Sequence, residues 1–298
     1  MLNKLIATSD DAGSRLDKFV LRKLENMPKS LAAKLIRTKD IKVNGLRSTA
    51  DYRVQPGDNI TVYGDFTEKK ERQITPDALP VLYQDDHLLI INKPAGLAVQ
   101  GGTGQTKSID KITGARLTHR LDKDTSGALI LAKDLQTAKA MTAMFAAGKV
   151  AKKYIAVCTG RPPENKGFID APLAKLGEDI VVSGQGQAAR TDYQVLAAAG
   201  GISCVLAKPR TGRTHQIRVH LSSVGAPILG DKKYNKTLAQ NKNRGKMNLH
   251  LHAAMVQFIH PTGKGTVKII APPPKHIEKT FAFMEQDYES IKNHLEND

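Results

Sequence analysis

Apolar positions near the start of the chain recur at helical intervals and then switch to alternation. Leu16, Phe19, Val20 and Leu24 share one face of a predicted helix; Ser14 and Asp17 stand in capping-box spacing at its start, and Pro28 breaks it. A second helix is predicted over about 30–37, with Leu31, Leu35 and Ile36 as its apolar face. Ile41 and Val43 then alternate into an Asn44-Gly45 turn, and a turn at Pro56, Gly57 and Asp58 leads to Ile60 and Val62. Residues 13–64 therefore read as a small module of two helices and a short strand pair. Residues 65–80 are polar, hold two prolines and show no period, which is the pattern of a linker.

A second, larger domain is expected over 81–285. Alternating or continuous apolar runs predict strands at 81–83, 88–91, 127–132, 154–158, 191–196, 202–207, 249–259 and 266–270. Helical intervals fall at about 135–147, 214–223 and 275–295, and residues 286–298 are taken as a C-terminal tail. Gly101, Gly102 and Gly104 mark a loop. The order of elements predicts an α+β fold with a large mixed or antiparallel sheet, preceded by a small N-terminal α/β module.

At 298 residues the chain has room for two unequal domains, and 40% hydrophobic with 25% charged residues is an ordinary globular composition. No apolar run is long enough to span a bilayer, and the first residues, with Asp10 and Asp11, resemble neither a signal nor a transit peptide. A cytoplasmic, membrane-free and monomeric protein is expected. Cys158 and Cys204 stand far apart outside any CxxC pattern, which predicts buried free thiols. The net charge of +16 makes a polyanion the expected partner. That charge is uneven: residues 13–64 hold 11 Lys and Arg against 5 acids, and 208–246 hold 10 against Asp231 alone.

Three segments carry the candidate chemistry. The first, HRLDKDTSG at 119–127, packs two cations, two acids and two hydroxyls into a loop that enters an apolar strand. Taken alone, Asp122 within it is equally readable as a cap on local amides. The second, KPRTGRTHQIRVHL at 208–221, ends a strand at a turn and opens a helix with His215, Arg218 and His220, and its cations suit a phosphate groove. The third, Lys152-Lys153-Tyr154, starts an apolar strand with an aromatic ring that can either stack on a base or serve the core. His250 and His252 share a strand face without an evident third ligand, so they read as structural.

In order and wording these segments resemble the motifs of the RluA-type pseudouridine synthases, as do VLYQDDHLLIINKPAGLAV at 81–99, PILGDKKY at 227–234 and LHLHAAMVQFIHP at 249–261. The N-terminal module, through RLDKFV, IKVNG and VQPGDNITV, resembles the S-four-type (alpha-L) RNA-binding domain; a merely solvated basic face is its rival reading. Within the family the wording is nearest the bacterial branch that carries this module and acts on large-subunit ribosomal RNA. Only 14 residues, 105–118, separate the glycine loop from His119, fewer than that branch leads one to expect, which bears on target choice.

The resemblance implies a pseudouridine synthase fold and an isomerase that converts uridine to pseudouridine in structured RNA. The reaction neither oxidises nor hydrolyses, so no cofactor and no metal are expected. It implies Asp122 as the catalytic carboxylate, acting as a nucleophile or by removing a sugar proton. Arg213 is placed beside Asp122 to hold and aim it, and Tyr154 is the residue that stacks on the uracil. Arg120 is expected to brace the space left by a flipped base or to contact phosphate, and His119 to order the loop beside the RNA. Arg15, Lys29, Arg37, Lys42 and Arg218 are the further RNA-binding candidates. The competing readings are a transfer-RNA enzyme, a non-catalytic ribosome assembly factor, and a metal-dependent hydrolytic RNA enzyme.

Overall fold

The computed structural model describes residues 2–24, 27, 29–63, 79–101, 108–235 and 247–297. The chain folds as two units, residues 1–73 and 74–298. The expected linker and the glycines Gly102 and Gly104 lie almost wholly outside the described residues.

The first unit is a four-stranded antiparallel sheet backed by two helices. Its elements are β1 (Leu2–Ile6), α1 (Leu16–Lys23), α2 (Lys29–Arg37), β2 (Ile41–Val43), β3 (Leu46–Arg47) and β4 (Asn59–Tyr63), with strand order β1-β4-β2-β3. Leu16, Phe19 and Val20 of α1 pack with Leu35, Ile36, Ile41, Val43, Ile60 and Val62 in one core. Two sequence expectations change here. The unit begins before residue 13, because β1 pairs with β4 from Leu2↔Tyr63 to Ile6↔Asn59. The reciprocal cap forms at Thr8 and Asp11, not at Ser14 and Asp17: Arg15 precedes α1, and Asp17 turns back to the Arg15 guanidinium at 3.0 Å.

The second unit is built on one large mixed sheet. In chain order it contains β5 (Val81–Gln84), β6 (Leu88–Lys93), α3 (Ile109–Thr113), β7 (Arg116–Leu117), β8 (Ser126–Ala132), α4 (Leu135–Ala146) and β9 (Ala151–Thr159). There follow β10 (Lys166–Asp170), the hairpin β11 (Leu173–Leu176) and β12 (Asp179–Val182), β13 (Arg190–Ala199), β14 (Ile202–Pro209) and α5 (Gln216–Ser223). The unit closes with β15 (Leu251–Ile259), β16 (Thr266–Ile270), α6 (Lys275–Phe283) and α7 (Tyr288–Glu296). The sheet runs β10-β13-β14-β9-β15-β8-β6-β5, with β16 beside β15 and β7 beside β8.

Every pairing in that sheet is antiparallel except β15 with β8, and this one parallel contact brings the chemistry-bearing segments together. Ala253 of β15 faces Gly127 on one side and Tyr154 of β9 on the other. Gly127 has a φ of 113°, and a β-carbon there would lie 2.3 Å from the Ala253 carbonyl oxygen, so only glycine lets the strands meet. Beyond that point β8 parts from β15, and side chains stand in for the missing ladder. The Thr118 hydroxyl donates to the Ile130 carbonyl at 2.7 Å, and the Ile130 N–H donates to His119 Nε2 at 2.9 Å. Loop 118–125 is thereby sewn to the central strand that follows it.

Alternation along β9 assigns the two faces of the sheet. Tyr154 and Ala156 look toward α5, whereas Ile155 and Val157 look toward α6 and α7. The expected single helix over 275–295 is two helices, separated where Glu285 takes a φ of 56°. The expected C-terminal tail carries α7 in its described part, 286–297: Ile291 and Leu295 are buried in the same cluster as Ile155 and Val157, and the buried Lys153 ammonium donates to the Leu295 carbonyl at 3.0 Å. Among the described residues no helix is long and apolar enough to cross a membrane. Cys158 and Cys204 are both buried and free, and burial raises both thiols, Cys204 to about 12.

Candidate active site

A cleft of about 470 Å³ opens over the face of the sheet that carries Tyr154 and is walled by loop 118–125, the end of α4, and the segment from 209 into α5. Asp122 stands in it, partly exposed, on the loop that His119 and Thr118 anchor. That loop is braced from beneath. The buried ammonium of Lys93 donates to the carbonyls of Pro94, Leu97 and Lys123 at 2.8–2.9 Å, and Gly96 N–H also donates to Lys123. Burial draws Lys93 down to about 7, against the opposing pull of Asp124 and Asp122.

The guanidinium on Asp122 belongs to Arg218, whose Nη1 donates to Oδ2 at 3.0 Å. Arg218 is held in turn by the fully buried carboxylate of Asp231, Nε to Oδ2 at 2.8 Å and Nη2 to Oδ1 at 3.0 Å, and lies 5.0 Å over the ring of Tyr234. Those ion pairs hold Arg218 well above the usual arginine range despite its burial. Asp122 Oδ1 has no hydrogen bond to any described residue. The result is a carboxylate fixed through one oxygen and open through the other.

The positions of two arginines therefore differ from those expected. Arg213, expected beside Asp122, precedes the helix: it is exposed on the cleft rim, its Nε donates to the Ala188 carbonyl at 3.1 Å, and its backbone N–H donates to Gln216 Oε1. Arg218, expected to touch RNA, is turned inward with only 12% of its side chain exposed. The cause is local. His215 takes a left-handed φ of 53°, so α5 begins at Gln216, and its first turn aims Arg218 at the loop.

Tyr154 lines the cleft, and burial, with a smaller contribution from Asp122, raises its hydroxyl. His119 stacks on Phe145 with ring centroids 4.3 Å apart; burial first, then Lys152, push it down to about 3, so it is a neutral acceptor for Ile130. Arg120 is exposed at the cleft with no hydrogen bond to a described residue. Lys152 looks into the cleft and also into an adjoining groove of about 560 Å³ that Lys149, Lys208 and Arg210 line. In the first unit Arg37 is exposed, Lys42 lies 5.1 Å over the Tyr63 ring, and Arg15 pairs with Asp17; the side chain of Lys29 lies outside the described residues.

The nitrogens of His250 and His252 are all taken by protein groups: Asn248 and Thr280 for the first, Ser126 and Ala271 for the second. Lys93, His215, Asp231 and Tyr234 were not expected in this site, although all four lie inside the sequence segments that carry the family resemblance.

Residues 87–223 match the model of the RNA pseudouridylate synthase family, and residues 14–60 match the S4 domain. The ribosomal large subunit pseudouridine synthase C of Vibrio cholerae is 35% identical over 93% of this chain and 95% of that protein. The protein of the same description from Escherichia coli K12 is 33% identical over 93% and 95%. Among solved structures, the human RNA pseudouridylate synthase domain containing 4 matches with a TM-score of 0.60 and 28% identity over 69% of this chain and 93% of that one. The chain belongs to the RNA pseudouridylate synthase family. It is an isomerase with a pseudouridine synthase fold and an S4 RNA-binding domain.

Proposed function

We propose that this enzyme isomerises uridines of large-subunit ribosomal RNA to pseudouridine, with Asp122 as the acting carboxylate and Tyr154 as the face against which the uracil lies. The observation that carries the reading is the asymmetric setting of Asp122: Arg218 grips Oδ2 at 3.0 Å, Oδ1 has no hydrogen bond to a described residue, and Asp122 lines a cleft that also holds Tyr154. The reaction breaks the bond from uracil nitrogen 1 to the sugar and joins carbon 5 to the same sugar carbon. Carbon 5 loses a proton and nitrogen 1 gains one. Attack on the sugar carbon and removal of a sugar proton both start from an unencumbered carboxylate oxygen, which is what Oδ1 provides.

A stacked or paired uridine must leave its stack to reach Oδ1, at a cost of a few kcal/mol. Arg120, exposed beside the cleft, is the side chain we assign to fill the vacated space. Lys149, Lys152, Lys208 and Arg210 along the adjoining groove supply cations for the flanking backbone, with Arg213 on the cleft rim. Choice of ribosomal RNA follows the relatives, which are described as large-subunit synthases over nearly their whole length. The S4 domain, with Arg15, Lys29, Arg37 and Lys42, adds a second RNA contact. The enzyme acts as a cytoplasmic monomer.

The test is tritium release from large-subunit ribosomal RNA carrying label at uridine carbon 5, alongside transfer RNA labelled in the same way. Release from the ribosomal RNA only is the expected outcome. Release confined to transfer RNA would overturn the choice of substrate.

A further inference from the structure

We propose that His215 is a positioning residue for Asp122: a neutral imidazole, oriented by Tyr234, that restrains Oδ2 beside Arg218 and so keeps Oδ1 turned to the substrate. The inference rests on Asp122 being the acting carboxylate. Its first support is a directed chain of hydrogen bonds. Ile180 N–H of the β11–β12 hairpin donates to the Tyr234 hydroxyl at 3.2 Å, and we assign the phenolic proton to His215 Nδ1, the acceptor 2.7 Å away. With Nδ1 accepting, the neutral ring carries its hydrogen on Nε2. That nitrogen faces Asp122 Oδ2 at 3.8 Å, a separation that a small closure of the cleft over RNA would bring to hydrogen-bond length.

The second support is independent of the first. His215 sits at a φ of 53°, a left-handed backbone uncommon for any residue but glycine, at the first residue before α5. A strained residue held in place beside a reacting group points to a requirement for its side chain. Burial also lowers His215 below the usual histidine range, although Asp122 and Asp231 oppose this and Arg218 and Lys233 add to it. A neutral donor suits this position, because a second cation on Oδ2 would stabilise the carboxylate and blunt Oδ1.

The four residues from Asp231 to Tyr234 thus seat both partners of Asp122. Asp231 holds Arg218, and Tyr234 holds His215. The turn that brings them there has Gly230 at a φ of 76°, where a β-carbon would lie 1.9 Å from the Asn248 carbonyl oxygen.

The experiment compares His215→Asn, Tyr234→Phe, their double variant and Asp122→Asn in the full chain by tritium release and thermal melting. Asparagine tolerates the left-handed backbone but is too short to span from Tyr234 to Asp122. His215→Asn is expected to lower kcat at least tenfold with KM within twofold and Tm unchanged or raised. Tyr234→Phe lowers kcat threefold or more, and the double variant is no worse than His215→Asn alone. A kcat within twofold of the parent for His215→Asn, or a loss carried by KM, overturns the inference. Should His215→Asn not fold, Tyr234→Phe decides: an unchanged kcat rejects it. Inactive Asp122→Asn beside fully active His215→Asn would reject this inference alone, whereas active Asp122→Asn would reject the reading of Asp122.

Discussion

Asp231 and Arg218 form a two-point buried pair, 2.8 and 3.0 Å, that leaves the guanidinium one free edge, and that edge is what meets Asp122. A guanidinium is rigid and planar, so fixing two of its nitrogens fixes the third. Lysine has one nitrogen and cannot divide itself between two carboxylates. Arg218→Lys should lower kcat on the order of 10²-fold with RNA affinity retained, since displacing a reacting group by about 1 Å costs that much. Single-turnover rates and filter binding measure the two quantities separately.

Removing the buried carboxylate strands a buried cation. Asp231→Asn should destabilise the protein by about 3 kcal/mol, at the lower end for breaking a buried pair because Asp122 still compensates Arg218. Denaturant melts of parent and variant give the difference directly.

Arg213 and Lys152 should behave unlike Arg218. Arg213→Ala and Lys152→Met are each expected to leave the fold intact and weaken RNA binding. Each should also shallow the dependence of log affinity on log salt by about 1, the effect of losing one phosphate contact. Titrations at several salt concentrations test this, with Asp122→Asn as the background to prevent turnover.

Buried neutral histidines make the fold sensitive to acid. His252 accepts from the Ser126 hydroxyl through Nδ1 and donates to the Ala271 carbonyl through Nε2, which satisfies the neutral ring, and burial lowers it to about 4. An unfolded histidine takes its proton near 6.5. Between 6.5 and 4 the unfolded chain holds a proton that the folded chain refuses, so stability falls as pH drops through that window. At pH 5 the loss from His252 is about 2 kcal/mol. His250, at about 4, and His119, at about 3, act in the same direction. Tm should therefore decline from pH 7 to pH 5, and a flat profile would contradict the burial argument.

The large sheet was legible where apolar runs were long and bounded by turns. Residues 127–132 and 202–207, for example, became β8 and β14 within a residue or two. β10 and the β11–β12 hairpin were not foreseen: KGFID and DIVV are too short and too mixed to show a period. The helix break near 285 depends on one left-handed residue, Glu285, without a glycine to mark it. Asp122 and Tyr154 were recognisable because whole motifs surround them, but their juxtaposition across Ala253 is a matter of sheet order. Which of two arginines five residues apart faces inward turned on the unusual backbone of His215, and residue types carry no trace of that. Asp231 read as one acid in a basic stretch; its role became visible only when folding removed it from water.

Replacing Asp122 by asparagine keeps the shape of the side chain and removes its ability to attack or take a proton. Purified Asp122→Asn should bind large-subunit ribosomal RNA nearly as tightly as the parent and release no tritium from uridine carbon 5 above background. Tritium release by Asp122→Asn at the parent rate would show that the acting carboxylate lies elsewhere.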